Sequence, residues 1–232
     1  DEHCRGLFRM LSALRLDRRV IPISAASAAA GGVFVREGWL IDDLDGTAAP
    51  VLDLRGLVHL PGAHNWQNAA AGYAVARAAG VPRDAALAAI ASFPGLRHRQ
   101  ELVAEIAGVR FINDSKATNA DAAAKALGSY RRIYWIAGGR PKTDGIDPLQ
   151  GMLAPAVIEA FLIGEAADRF RATIGSEVPV TLCGTLDRAV EAAFAAARRD
   201  GGEGAVVLLS PACASFDQFA HFEARGDAFA AA

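Results

Sequence analysis

The chain has 232 residues, room for one or two domains, and its 24 basic and 26 acidic residues leave a net charge of −2. That balance argues against a nucleic-acid or anionic-membrane surface. Hydrophobic residues reach 52%, yet 51 residues are alanine and no apolar run approaches the roughly 18 residues of a membrane-spanning helix.

Leu7 to Leu16 has the spacing of a short amphipathic helix, and Val20 to Ile23 reads as a short strand. Gly32 to Ile41 reads as a hairpin with Gly38 at its turn, and Pro50 to Leu54 as a further strand. Two helices follow, Asn65 to Ala79 closed by Gly80, and Pro82 to Ser92. This part predicts a few antiparallel strands followed by two helices, with no nucleotide-binding loop of its own. Phe93-Pro-Gly-Leu-Arg97 is the best boundary and has the make-up of a hinge, dividing residues 1–94 from 95–232.

Beyond the boundary the pattern alternates. Glu101 to Ile112 predicts two strands joined around Gly108, and Asn119 to Ser129 a helix. Strands are expected at Arg132 to Ala137, Ala160 to Ile163, Val178 to Cys183 and Ala205 to Leu209. Helices are expected at Asp147 to Leu153, Ala166 to Ile174, Leu186 to Arg199 and Phe216 to Ala231. Short apolar strands with helices between them imply an α/β fold: a mostly parallel sheet covered on both faces. The three cysteines, Cys4, Cys183 and Cys213, have no metal-like or disulfide-like spacing. They favour a reducing, cytoplasmic setting, and no secretory leader pattern is present. Cys213 reads as a small packed residue rather than a nucleophile.

Ligands of open α/β sheets bind beyond the carboxyl ends of the strands. Three such loops carry polar clusters. Asn113-Asp-Ser-Lys-Ala-Thr-Asn119 follows one strand; Thr118 with Asp121 fits a capping pattern, which leaves Asp114, Ser115 and Lys116 unexplained. Gly138-Gly-Arg-Pro-Lys142 follows the next, with a double glycine that permits close approach of a ligand and a lysine that supplies charge. Ser210-Pro-Ala-Cys-Ala-Ser215 follows the last strand, with Ser215 and Gln218 again in capping spacing. Together they put a lysine, two hydroxyls and two helix starts on one sheet edge, an environment for carboxylates or phosphates. Asn65 and Asn68 lie on one helix face, where an Asn cap is the plainer reading, and Arg97-His98-Arg99 follows the hinge. If the two halves close, both clusters face the cleft.

Four motifs carry a resemblance: His64 to Asn68 (HNxxN), Gly95 to Arg99 (GLxHR), Asn113 to Asn119 (NDSKATN) and Ser210 to Gly226 (SPACASxDQFxxFExRG). They resemble the Mur ligase family of peptidoglycan synthesis, and within it the members that add D-glutamate. The resemblance covers residues 51–232 well and the first fifty loosely. It implies three domains: one binding UDP, a central ATPase and a C-terminal amino-acid-binding domain. ATP and magnesium would activate the terminal carboxylate of UDP-N-acetylmuramoyl-L-alanine as an acyl phosphate, which the amine of D-glutamate attacks. By motif, Thr118 and Lys142 would hold the α-carboxylate of D-glutamate, and Ser215 with the backbone of Phe222 the side-chain carboxylate. Asn65, Asn68, Arg99 and Asp114 would contact ATP, with Asp114 on the ribose, and His98 and Lys116 are further active-site candidates. No metal ligand is expected in this chain, and a monomer is expected. No G-x-x-x-x-G-K-[ST] loop occurs. The phosphate loop, metal ligands and carbamylated lysine of the family are therefore expected upstream of Asp1, with the chain a fragment inactive by itself. A folylpolyglutamate synthase-like ligase and a non-catalytic α/β ligand-binding module are the alternative readings.

Overall fold

The computed structural model describes residues 2–14, 19–142 and 145–232. The chain divides into two compact units, Asp1–Pro94 and Gly95–Ala232. None of the described helices is long and apolar enough to cross a membrane.

In the first unit, α1 spans Glu2–Ala13, shifted toward the N-terminus from the expected Leu7 to Leu16. The last two residues of that expectation lie outside the described residues. Four strands follow: β1 (Ile23–Ser24), β2 (Val33–Arg36), β3 (Trp39–Asp42) and β4 (Ala49–Asp53). They form one sheet in chain order, with β2, β3 and β4 antiparallel. The expectation of antiparallel strands fails at β1, which pairs parallel to β2 through Ile23 and Val33. The strand also starts later than Val20. The Pro22 carbonyl accepts the Val33 amide, but proline has no N–H to extend the ladder backwards.

Two helices complete this unit, α2 (Ala63–Ala78) and α3 (Arg83–Ala91). The Val81 and Gly80 amides close α2 by bonding to the carbonyls of Ala76 and Arg77. Ala69, Ala70, Tyr73 and Ala74 of α2 are buried against Val33, Val35 and Leu40 of the sheet. The Tyr73 hydroxyl donates to Asp42 at 2.6 Å, satisfying a carboxylate that the sheet buries.

The second unit contains β5 (Glu101–Ile106), β6 (Val109–Asn113), α4 (Ala120–Leu127), β7 (Ile133–Gly138) and β8 (Val157–Ile163). It continues with α5 (Ala167–Ile174), β9 (Val180–Gly184), α6 (Leu186–Arg199), β10 (Val206–Leu209) and α7 (Phe222–Ala231). The six-stranded sheet has the order β5-β6-β10-β7-β8-β9. All its pairs are parallel except the β5–β6 hairpin at one edge. The residues of β7 and β10 are all buried, as the centre of a doubly covered sheet requires. Helices α4 and α5 pack on one face, α6 and α7 on the other. In α6 the buried residues Leu186, Ala189, Val190, Ala193, Ala196 and Ala197 follow helical spacing.

Two expected helices shrink. Asp147 to Leu153 holds only a single 3-10 turn, Asp147–Leu149. The closing helix begins at Phe222 rather than Phe216, because its cap is His221, whose Nδ1 accepts the Ala224 amide at 3.1 Å. Residues 216–221 instead form turns.

Candidate functional site

Asn113 at the end of β6 is level with Leu209 of β10, which is level with Ile136 of β7. The three polar loops therefore leave the sheet side by side. The loop after β10 leads to α7 on one face, while those after β6 and β7 lead to the other. In doubly wound sheets ligands bind where the loops part in this way.

Arg225 of α7 joins two of these loops. Its side chain is 1% exposed. Nε donates to the Ser115 hydroxyl at 3.0 Å, and Nη2 to the carbonyls of Ser115 at 2.9 Å and Cys213 at 3.1 Å. Nη1 reaches the Ala214 carbonyl at 3.2 Å. Burial lowers its pKa to about 10, so the buried guanidinium remains charged at neutral pH. The Ser115 hydroxyl in turn donates to the Phe222 carbonyl at 2.7 Å, fixing the first turn of α7 to the loop after β6.

The double glycine serves the protein's own backbone rather than a ligand. A Cβ at Gly138 would stand 2.0 Å from the Ile163 carbonyl oxygen, and one at Gly139 would stand 2.4 Å from that of Ala214. Beyond it, Arg140 and Ala214 exchange both backbone hydrogen bonds, at 2.9 and 3.1 Å. Lys142 is exposed, and its Nζ donates to the Thr118 hydroxyl at 3.5 Å. Thr118 does not cap α4, because Asn119 does so by accepting the Ala122 amide at 2.8 Å. The side chain of Ser215 caps nothing either. Its hydroxyl is buried, at 2% residue exposure, with no hydrogen-bond partner among the described residues.

Around the loop after β6, the Asp114 carboxylate accepts the Ser210 hydroxyl at 2.9 Å and the Gln100 amide at 3.2 Å. Burial pushes its pKa up to about 7 against the opposing pull of those bonds and of Arg99. Asn113 donates to the Gly226 carbonyl at 3.1 Å and stands 3.1 Å from His98 Nδ1. His98 is buried, and its carbonyl accepts the Lys116 amide at 3.0 Å. The Lys116 ammonium lies 4.0 Å from the centre of the Phe222 ring, a cation–π contact. Arg99 is exposed.

The second unit thus brings Thr118 to Lys142, Lys116 to Phe222, and His98 and Asp114 to the same loop. In the first unit Asn65 is not the cap of α2; Gly62 holds that position. The Asn65 amide donates back to the Pro61 carbonyl at 2.8 Å, and Asn68 is exposed. Arg225 and Asn113, which the sequence reading did not single out, hold the loops in place. Arg225 sits within the quoted FExRG motif, but nothing local signals that a buried guanidinium will bind two distant loops. Cys213 is buried, and desolvation pushes its thiol up to about 12, in keeping with a packing residue.

A family model described as "Mur ligase, glutamate ligase domain" matches residues 98–213. The UDP-N-acetylmuramoylalanine--D-glutamate ligase of Rhodospirillum rubrum is 56% identical over 212 residues, 91% of this chain and 44% of its own length. The protein of the same name from Caulobacter vibrioides is 50% identical over 233 residues, 100% of this chain and 49% of its own length. The chain spans about half the length of the curated relatives it matches. Among solved structures, the UDP-N-acetylmuramate-alanine ligase of Thermotoga maritima shares the fold at a TM-score of 0.51 and 18% identity. That match covers 66% of this chain and 35% of the other. A pseudomurein peptide ligase type C from Methanothermus fervidus does so at a TM-score of 0.52 and 17% identity, covering 79% and 39%. Since the family model spans half of its residues, the chain belongs to the Mur ligase family through the glutamate ligase domain.

Proposed function

We propose that the second unit binds D-glutamate as the C-terminal domain of an ATP-dependent ligase that joins it to UDP-N-acetylmuramoyl-L-alanine. The first unit is then the end of the central domain. One observation carries this reading: two separate polar subsites stand at one sheet edge. Lys142 with Thr118 forms an exposed, charged pair of donors. Ser215 offers a buried hydroxyl with no partner, a group that costs free energy unless a ligand completes it. A dicarboxylic amino acid needs two donor sets of this kind, and the relatives' names supply the amino acid.

Thr118 and Lys142 would take the α-carboxylate, and Ser215 with the Phe222 amide the distal one. The Phe222 amide is available because the first amides of a helix have no partner within it. Lys116, held over the Phe222 ring, adds positive potential at this helix start.

ATP with magnesium would supply the phosphoryl group that activates the other substrate. In the second unit, Arg99 and Asp114 offer guanidinium and carboxyl groups suited to an adenosine's polar edges. In the first unit, Asn65 and Asn68 are separate amide candidates for contact with ATP. They do not make a triphosphate cradle. Among the described residues no group of three His, Cys, Asp or Glu could hold a metal ion.

The test is Lys142→Ala in the full-length ligase. Loss of a charge-assisted hydrogen bond of ~1.5–3 kcal/mol should raise KM for D-glutamate by roughly 10- to 100-fold. An unchanged KM would show that Lys142 is merely a solvated surface lysine.

A further inference from the structure

The loop that carries Ser215 is fastened on both sides of that residue. On one side, Ala214 is paired through its backbone with Arg140, and its carbonyl also accepts Arg225. On the other, the Asp217 Oδ2 accepts the amide of Glu165, in the loop after β8, at 3.1 Å. That carboxylate is seated against bare backbone: a Cβ at Gly164 would stand 2.0 Å from Asp217 Oδ2. A Cβ there would also stand 2.9 Å from the Gly139 Cα, and φ of 67° further disfavours an L side chain.

Between these fastenings lie only Ser215 and Phe216. Phe216 is 61% exposed. The turn is closed by the Ser215 carbonyl, which accepts the Gln218 and Phe219 amides at 3.1 and 2.8 Å. Asp217 lies inside that turn, so displacing it displaces Ser215. Its negative charge also favours the charged form of Arg225, the residue that binds the same loop from beneath.

We infer that Asp217 is a positioning residue: by tying the loop after β10 to the Glu165 amide, it holds the Ser215 hydroxyl where a substrate's distal carboxylate is received. The identity of that substrate rests on the proposed function, whereas the tether does not.

Amide exchange on the 232-residue chain reads the tether without any ligand. In Asp217→Ala, the Glu165 and Phe219 amides are expected to exchange about tenfold faster than in the parent. Amides at the centre of β7 and β10 should be unchanged. In the full-length ligase, the same variant should raise KM for D-glutamate about tenfold with kcat and KM for ATP little altered. Asp217→Asn keeps an acceptor oxygen for the Glu165 amide and should recover most of both effects. Parent-like exchange at Glu165 and Phe219 in Asp217→Ala overturns the inference, whatever the ligand proves to be. Faster exchange with an unaltered KM for D-glutamate overturns it equally, because the tether then does not serve Ser215. A parent enzyme indifferent to D-glutamate sinks the functional reading alone, and the exchange data still decide the tether.

Discussion

Asp114→Asn tests how the loop after β6 is built. The carboxyl is 6% exposed and already accepts the Ser210 hydroxyl and the Gln100 amide. Burial raises its pKa from the ordinary 3.8 to about 7, outweighing the two hydrogen bonds and Arg99. An acid raised in this way holds its proton more tightly in the folded protein than in the unfolded chain. Its contribution to stability is complete below pH 3.8 and is lost as the pH rises through about 7. At ~1.36 kcal/mol per pH unit, the whole interval corresponds to about 4 kcal/mol. About 2–3 kcal/mol of that falls between about pH 5 and pH 8. Asparagine cannot ionise, keeps a carbonyl oxygen for the Gln100 amide, and lets the Ser210 hydroxyl turn to accept from its amide. The stability of the second unit can be read from exchange of the buried amides of β7 and β10, which open only with the unit. Across that pH range the variant should gain about 2–3 kcal/mol on the parent. Parallel pH profiles would refute the claim that Asp114 is driven toward its neutral form by burial.

Ser215→Ala removes a buried hydroxyl without a partner, so thermal stability should change by less than about 0.5 kcal/mol or rise, while KM for D-glutamate increases. A stability loss well above that would reveal a partner within the fold. Glu177 accepts the amides of Gly151, Leu153 and Ala154 at 2.9, 2.6 and 3.2 Å. Burial pushes its pKa up, but these bonds together leave it below the usual 4.5. Glu177→Ala should cost about 1–2 kcal/mol at neutral pH, and thermal melts should show the gap closing as the pH falls below that value. Tyr73→Phe leaves the buried Asp42 carboxylate with the Leu44 amide as its one partner among the described residues, and should cost the first unit about 1–3 kcal/mol in urea denaturation. The second unit should unfold unchanged.

The fold was legible where patterns are local. The alternating strands and helices beyond Gly95, the hairpin of β2 and β3, and the alanine stripe of α6 follow directly from period-two and helical spacing. What escaped depends on partners distant in the chain. Whether β1 runs parallel or antiparallel to β2 is settled by pairing across the Ala25 to Gly32 connection, not by the residues of β1. The segment 216–221 has helix-compatible residues but is drawn into turns by Asp217 and by the His221 cap. Of the site, the three loops were visible because each follows an apolar strand with a polar cluster. The structural work of Gly138 and Gly139 was not, since it requires knowing that the carbonyls of Ile163 and Ala214 lie against them. Thr118 and Asn119 differ by one position as candidate caps, and the local pattern permits either. With Asn119 as the cap, the Thr118 hydroxyl remains for Lys142.

The arrangement explains why an arginine sits at the heart of the second unit. The loops after β6 and β10 expose carbonyls of Ser115, Cys213 and Ala214 to a space that water scarcely enters, and each must be satisfied. A lysine offers three donors from one atom and could not span two loops, whereas the planar guanidinium fork reaches all of them and the Ser115 hydroxyl as well. Because these acceptors are neutral, the bonds that rigidify the loops do not cancel the charge. Asp217 is the acid placed to moderate it, from the other side of the same loop. Arg225 itself lies in the first turns of α7, so its charge stays close to the start of that helix. The rigidity of the two loops thus comes from one side chain, which ties the Ser115, Cys213 and Ala214 carbonyls to the first turns of α7.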